Sequence, residues 1–176
     1  MRRRIVLLLA TASAVAVMGF GMAIGTSASA DTSATVRAVT ARFNSLEQAK
    51  KAGYVPFYVC AEQPGVGTMG QHYVNFDLVG DPTIDPLKPE ALVYEPRGDG
   101  TFKLVALEWV RVGPETPNAV PTVLGHDMLY RTAPNRYGIE PGFYERHYWL
   151  YQSNPLGAVS DWNPDVSCKG TGDNGG

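Results

Sequence analysis

Beyond Gly53 proline and glycine break the chain every few residues. All thirteen prolines lie past that point. Proline locks φ and removes a backbone donor, so long helices are excluded from this stretch. The runs between the breaks are rich in β-branched and aromatic residues, which favour strands. Such runs occur at 54–60, 72–79, 91–95, 102–111 and 143–151, with one further short strand expected within 122–131.

The segment 33–52 has the opposite texture. Val36, Val39, Phe43, Leu46 and Ala49 recur at steps of three and four. This spacing predicts one amphipathic helix, capped by Ser33 or Thr35 and stopped at Gly53. The fold class is therefore α+β: an N-terminal helix packed on a curled antiparallel sheet or half-barrel of about five to six strands. The clearest hairpin joins 91–95 to 102–111 through Pro96-Arg-Gly-Asp-Gly-Thr101. Centring its loop on Gly98-Asp99 sets Glu95 opposite Phe102, Val93 opposite Leu104 and Ala91 opposite Ala106. Those residues, with Glu108 and Val110, would then share one face. The Arg97-Gly98-Asp99 tripeptide reads as the turn this hairpin needs.

Three arginines, Arg2 to Arg4, precede an apolar stretch that ends at Ala28-Ser29-Ala30. This is the layout of a signal peptide spanning residues 1–30, by a general or a twin-arginine route. It predicts a secreted, extracellular domain over 31–168, with no membrane segment after cleavage. Residues 169–176 read as a disordered Gly-rich tail. Cleavage removes three arginines and no acids, so the formal charge moves from -2 to -5. No basic excess exists to neutralise phosphates, which argues against nucleic-acid binding. In an exported chain the two cysteines, Cys60 and Cys168, are expected to form a disulfide. Closing so long a loop is worth about 4–5 kcal/mol in the chain-entropy model.

Candidate chemistry is sparse. Nucleophile-elbow, P-loop and dinucleotide fingerprints are absent. Three histidines occur, and two of them, His72 and His147, sit in aromatic strand contexts. Glu108 stands in an otherwise apolar row and needs a partner if that row is buried. Two imidazoles and a carboxylate suit Zn, Cu or non-haem Fe. Whether such a centre would catalyse a reaction stays open. Alternation over 143–151 puts Phe143, Glu145, His147, Trp149 and Tyr151 on one side. The alternative is a non-catalytic module in which Trp149, Tyr151 and Trp162 hold a small molecule or glycan. A purely structural surface protein is the third reading.

The ordered strings are Met69-Gly70-x-His72-Tyr73-x-Asn75, Pro89-Glu90-x-Leu92-Val93-Tyr94-Glu95, Leu104-Val105-Ala106-x-Glu108, Tyr144-x-x-His147-x-Trp149, Asn154-Pro155-x-Gly157 and Trp162-Asn163-Pro164-x-Val166-x-Cys168. Together they resemble an uncharacterised family of small exported bacterial proteins over roughly residues 52–168. The resemblance implies export and attention to His72, Glu95, Glu108 and His147, and it brings no reaction. It makes Glu95 a substitute for Glu108. In the expected register the two glutamates lie six residues apart along the sheet, about 20 Å, so only one can join the histidines. His126 falls outside the matching strings.

Overall fold

The computed structural model describes residues 25–170. Most of the expected leader and most of the expected tail lie outside the described residues. The architecture is α+β: short helices and a curled antiparallel six-stranded half-barrel.

The expected single helix is two. Helix α1 (Gly25–Thr40) runs into a 3-10 turn (Ala41–Asn44), and α2 (Leu46–Lys51) follows. The break is Ser45, which takes an extended backbone and accepts the Gln48 N–H on its side chain at 3.4 Å. A serine that caps a new helix ends the old one. Val36, Phe43 and Ala49 are buried, but Val39 is exposed. Its place on the inner stripe goes to Thr40, whose hydroxyl bonds the Val36 carbonyl at 2.7 Å and the Tyr151 hydroxyl at 2.8 Å. Gly53, at φ +92°, ends the segment as expected, in a region that costs other residues more.

The main sheet contains β1 (Val55–Gln63), β2 (Gly67–Val74), β3 (Ala91–Pro96), β4 (Phe102–Val112), β7 (Leu129–Thr132) and β8 (Gly142–Tyr148). Its spatial order is β1-β2-β3-β4-β8-β7, with every neighbour antiparallel. The stretch 122–131, expected to hold one short strand, holds part of β7 and a small separate ribbon, β5 (Thr122–Val123) with β6 (His126–Asp127).

Two expectations shift. The run at 72–79 is not one strand. Strand β2 starts earlier, at Gly67, and ends at Val74, where Asn75 caps the short helix α3 (Phe76–Val79). The Asn75 side chain accepts the Asp77 and Leu78 N–H groups, an arrangement that turns a strand into a helical turn. The β3–β4 register also moves. Pro96 lies opposite Phe102 and Tyr94 opposite Leu104, then a bulge intervenes, and Val93 meets Ala106 while Ala91 meets Glu108. The loop is longer than expected: the Arg97 N–H bonds the Thr101 carbonyl at 2.8 Å, with Gly100 at φ +79°. The bulge at Val105 adds a second step of slip.

That bulge sorts the side chains. Leu92, Tyr94, Leu104, Leu107 and Trp109 join Val36 and Phe43 in the larger core under the helices. The Tyr94 hydroxyl donates to the Phe43 carbonyl at 2.7 Å and fixes the helical turn to the sheet. Val93, Val105, Ala106, Trp149 and Val166 form a second core on the opposite face. The irregular C-terminal segment covers this side. It is held by the Cys60–Cys168 disulfide, by a Thr68–Asn163 bridge and by the Ser167 N–H donating to Glu95 Oε1 at 3.1 Å. Among the described residues, no helix is long and apolar enough to cross a membrane.

Candidate metal centre

His72 stands on β2, Glu108 on β4 and His147 on β8. Glu108 pairs directly with His147 across the β4–β8 ladder. His72 faces Val93 on β3, which in turn faces Ala106 on β4. In a flat sheet three strand spacings would separate β2 from β8, about 14 Å. Yet one ligand atom from each of the three residues lies within 4.8 Å of the others. The curl of the sheet closes that gap. Only Ala91, Val93 and Ala106 intervene on this face, so the imidazoles meet above small side chains. Gly70 contributes from two residues away. Its φ is +108°, and a Cβ there would sit 2.8 Å from Val93 Cγ1 and 2.9 Å from the Tyr94 carbonyl oxygen. Only glycine lets β2 approach β3 this closely beside His72.

All three side chains are buried, His147 to 1% exposure. His72 Nε2 lies 3.3 Å from Glu108 Oε2. Burial pushes His72 down to about 3, and the His147 ring and Arg136 act in the same direction. Burial likewise lowers His147 to about 3. Burial first, then the neighbouring Glu145 and Asp161 charges, hold Glu108 well above the usual carboxylate range. The 3.3 Å contact is accordingly a close approach of two groups driven toward neutrality, not an ion pair.

His147 is the anomaly. Both Nδ1 and Nε2 are buried, and neither has a hydrogen-bond partner. Its ring is nonetheless firmly placed. Trp149 stacks on it at 5.0 Å and 26°, and the Trp149 indole N–H donates to the Ser160 carbonyl at 2.6 Å. The His72 ring meets it edge-on at 5.6 Å.

A cavity of about 60 Å³ opens beside His72 and Glu108, walled chiefly by Phe57, Val74, Tyr137 and Phe143, with Glu145 at its edge. Glu145 Oε1 accepts from Arg131 Nε at 2.5 Å, and the same guanidinium reaches Asp161 Oδ2 at 2.6 Å. Beyond lies a larger cleft of about 340 Å³ whose walls share Tyr137, Phe143 and Glu145 with the first.

The other residues singled out by sequence go elsewhere. Glu95 holds the C-terminal segment through Ser167 and is not part of the three-residue group. It faces Lys103, five residues before Glu108 along β4, about 17 Å away. Trp149, Tyr151 and Trp162 do not form one surface. Trp149 is core, Tyr151 bonds Thr40 and the Arg37 carbonyl, and only Trp162 lines the larger cleft. The expected alternation holds through Trp149, which stacks on His147, and fails at Tyr151, which lies past the end of β8 and packs against the helix-side core. His126 lies beside Tyr148, away from the group. Glu145 shares the His147 face of β8, as the alternation over 143–151 expects. The period of two was the signal that placed it there. Arg131, Arg136 and Asp161 carried no such signal, since only the folded loops gather them.

Comparison of the chain with protein-family models, with curated proteins and with solved structures finds no match.

Proposed function

We propose that this domain is exported and binds one divalent transition-metal ion through His72, Glu108 and His147, with Zn, Cu or Fe as the candidate ions. The observation that carries the reading is the pair of unpartnered nitrogens on His147, buried in a group of three ligand-type side chains. A buried polar atom without a partner costs about 1–3 kcal/mol, and a neutral imidazole has one nitrogen lone pair that a cation satisfies. Burial also keeps both imidazoles in the neutral form that ligation requires. Three protein ligands leave a coordination position open in a tetrahedral site, the arrangement associated with reactive rather than purely structural ions. The cavity beside His72 and Glu108 gives that position room for water or a small ligand. Export is supported by the disulfide, which belongs to an oxidising compartment, and by the signal-like N-terminus.

The test is metal content by mass spectrometry on the disulfide-bonded, untagged protein, before and after loading with zinc or copper. One ion per chain is expected, lost in His72→Ala, together with a rise in Tm on adding metal to the stripped protein. Wild-type protein that takes up no ion and shows no Tm shift overturns the reading, whatever the variant does.

A further inference from the structure

The larger cleft is built from chemistry that metal ligation alone does not need. Tyr137, Phe143 and Trp162 give it aromatic walls, while Arg131, Arg136, Glu145 and Asp161 bring two positive and two negative formal charges. The charges are not paired evenly. Arg131 sits between both carboxylates, at 2.5 Å and 2.6 Å. Arg136 has no carboxylate within ion-pair distance among the described residues. It lies over the Tyr137 ring at 4.7 Å, donates to the Tyr137 hydroxyl and reaches Met69 Sδ at 3.8 Å. A guanidinium held by a ring and a sulfur keeps donors to spare for an anion. The cleft itself sums to zero formal charge. A divalent ion bound by two neutral imidazoles and one carboxylate would add a net +1 at its inner end.

We propose that this cleft is the ligand port of the metal centre and takes a monoanionic aryl carboxylate. The flat ring would lie among Tyr137, Phe143 and Trp162, and the carboxylate would be shared by the field of the metal and the Arg136 guanidinium. The volume, about 340 Å³, is in the range of small-molecule sites. A monoanion matches the single excess positive charge. The shared walls at Tyr137, Phe143 and Glu145 set the ligand next to the cavity beside His72 and Glu108. This inference rests on the metal-binding reading above.

The test uses benzoate and its neutral counterpart benzamide as probes, titrated calorimetrically into zinc-loaded and metal-stripped protein, with zinc content measured on every sample. Benzoate is expected to bind the zinc-loaded protein about tenfold or more tightly than benzamide, the scale of one charge-assisted contact. Stripping the metal should weaken benzoate far more than benzamide. Arg136→Gln, at an exposed position, should erase most of the preference while zinc stays at one per chain. Trp162→Ala should weaken both probes alike. Equal affinities for the two probes at full zinc occupancy overturn the port and leave the metal centre standing. So does a preference that survives Arg136→Gln. Protein that holds neither zinc nor copper after loading overturns both.

Discussion

At the scale of a residue, His147 has opposite values with and without an ion. Metal-free, it buries two polar atoms with no partner. Replacing it with a similarly sized apolar side chain removes that cost. His147→Leu is expected to stabilise the metal-stripped protein by about 1 kcal/mol in urea unfolding. The same variant should lose the Tm increase that metal gives the wild type. Destabilisation by several kcal/mol in the stripped state would mean that the ring nitrogens have partners after all. The opposing trends make this substitution more informative than alanine, which would add a cavity of its own. His72 lacks this property, because its Nε2 already meets Glu108.

At the scale of an element, strand β3 ends before β4 does, and Glu90 finishes the ladder. Ala91 pairs with Glu108, and at the next strand position on that side the Pro89 carbonyl accepts from the Tyr54 hydroxyl at 2.7 Å. The Glu90 side chain turns in instead and accepts the Val110 N–H at 3.0 Å. Burial raises Glu90 to about 7 from 4.5, against the lowering effect of that hydrogen bond. A folded-state pKa above the unfolded value means that folding favours the protonated acid. The associated stability is fully present below pH 4.5 and is lost as pH rises through about 7. The shift corresponds to about 3 kcal/mol at most. Buried His72 and His147, held near 3, add an opposing rise up to about pH 6.5, so the Glu90 contribution is read as a difference: across pH 4.5 to 8 in urea, the wild type should lose stability relative to Glu90→Gln, which keeps an acceptor for Val110. An unchanged profile in the variant would assign the pH dependence to other groups. Nothing in the sequence singles out this role. The existence and class of the major elements were legible because period-two and period-3.6 patterns report burial directly. Their joints were less so. Ser45, Asn75 and the Val105 bulge act by local hydrogen bonding or by one extra residue, and neither leaves a mark on hydrophobic periodicity. The candidate site shows the same division. His72, His147 and Glu108 stood out as polar residues in apolar strands, whereas their approach within 4.8 Å depends on curl, which alternation does not encode.

At the scale of the molecule, the disulfide and the candidate centre divide the work. Cys168 anchors the segment that carries Asp161, Trp162 and Val166, while all three ligand residues stand on strands of the main sheet. The double variant Cys60→Ser and Cys168→Ser should lose about 4–5 kcal/mol of stability, the loop-closure value for so long a span. Under conditions where it is still folded, it should retain one metal ion per chain. It should bind benzoate less tightly, because one wall of the cleft and Asp161, one of the two partners of Arg131, come loose. Loss of the ion in a folded variant would instead make the C-terminal segment part of the centre.

The three ligand residues are spread over 75 positions of chain, and all lie between the two cysteines. No nascent fragment shorter than 147 residues contains the whole set, and no pair of neighbouring residues could hold an ion in advance. Metal binding through these residues would therefore be a late event, possible only once β8 has docked beside β4. For a chain threaded unfolded across a membrane, that moment comes after transit, in the compartment where the thiols are oxidised. If the proposed export and metal binding hold, the identity of the ion would then be set by the metals supplied outside the cell, not by the intracellular pool.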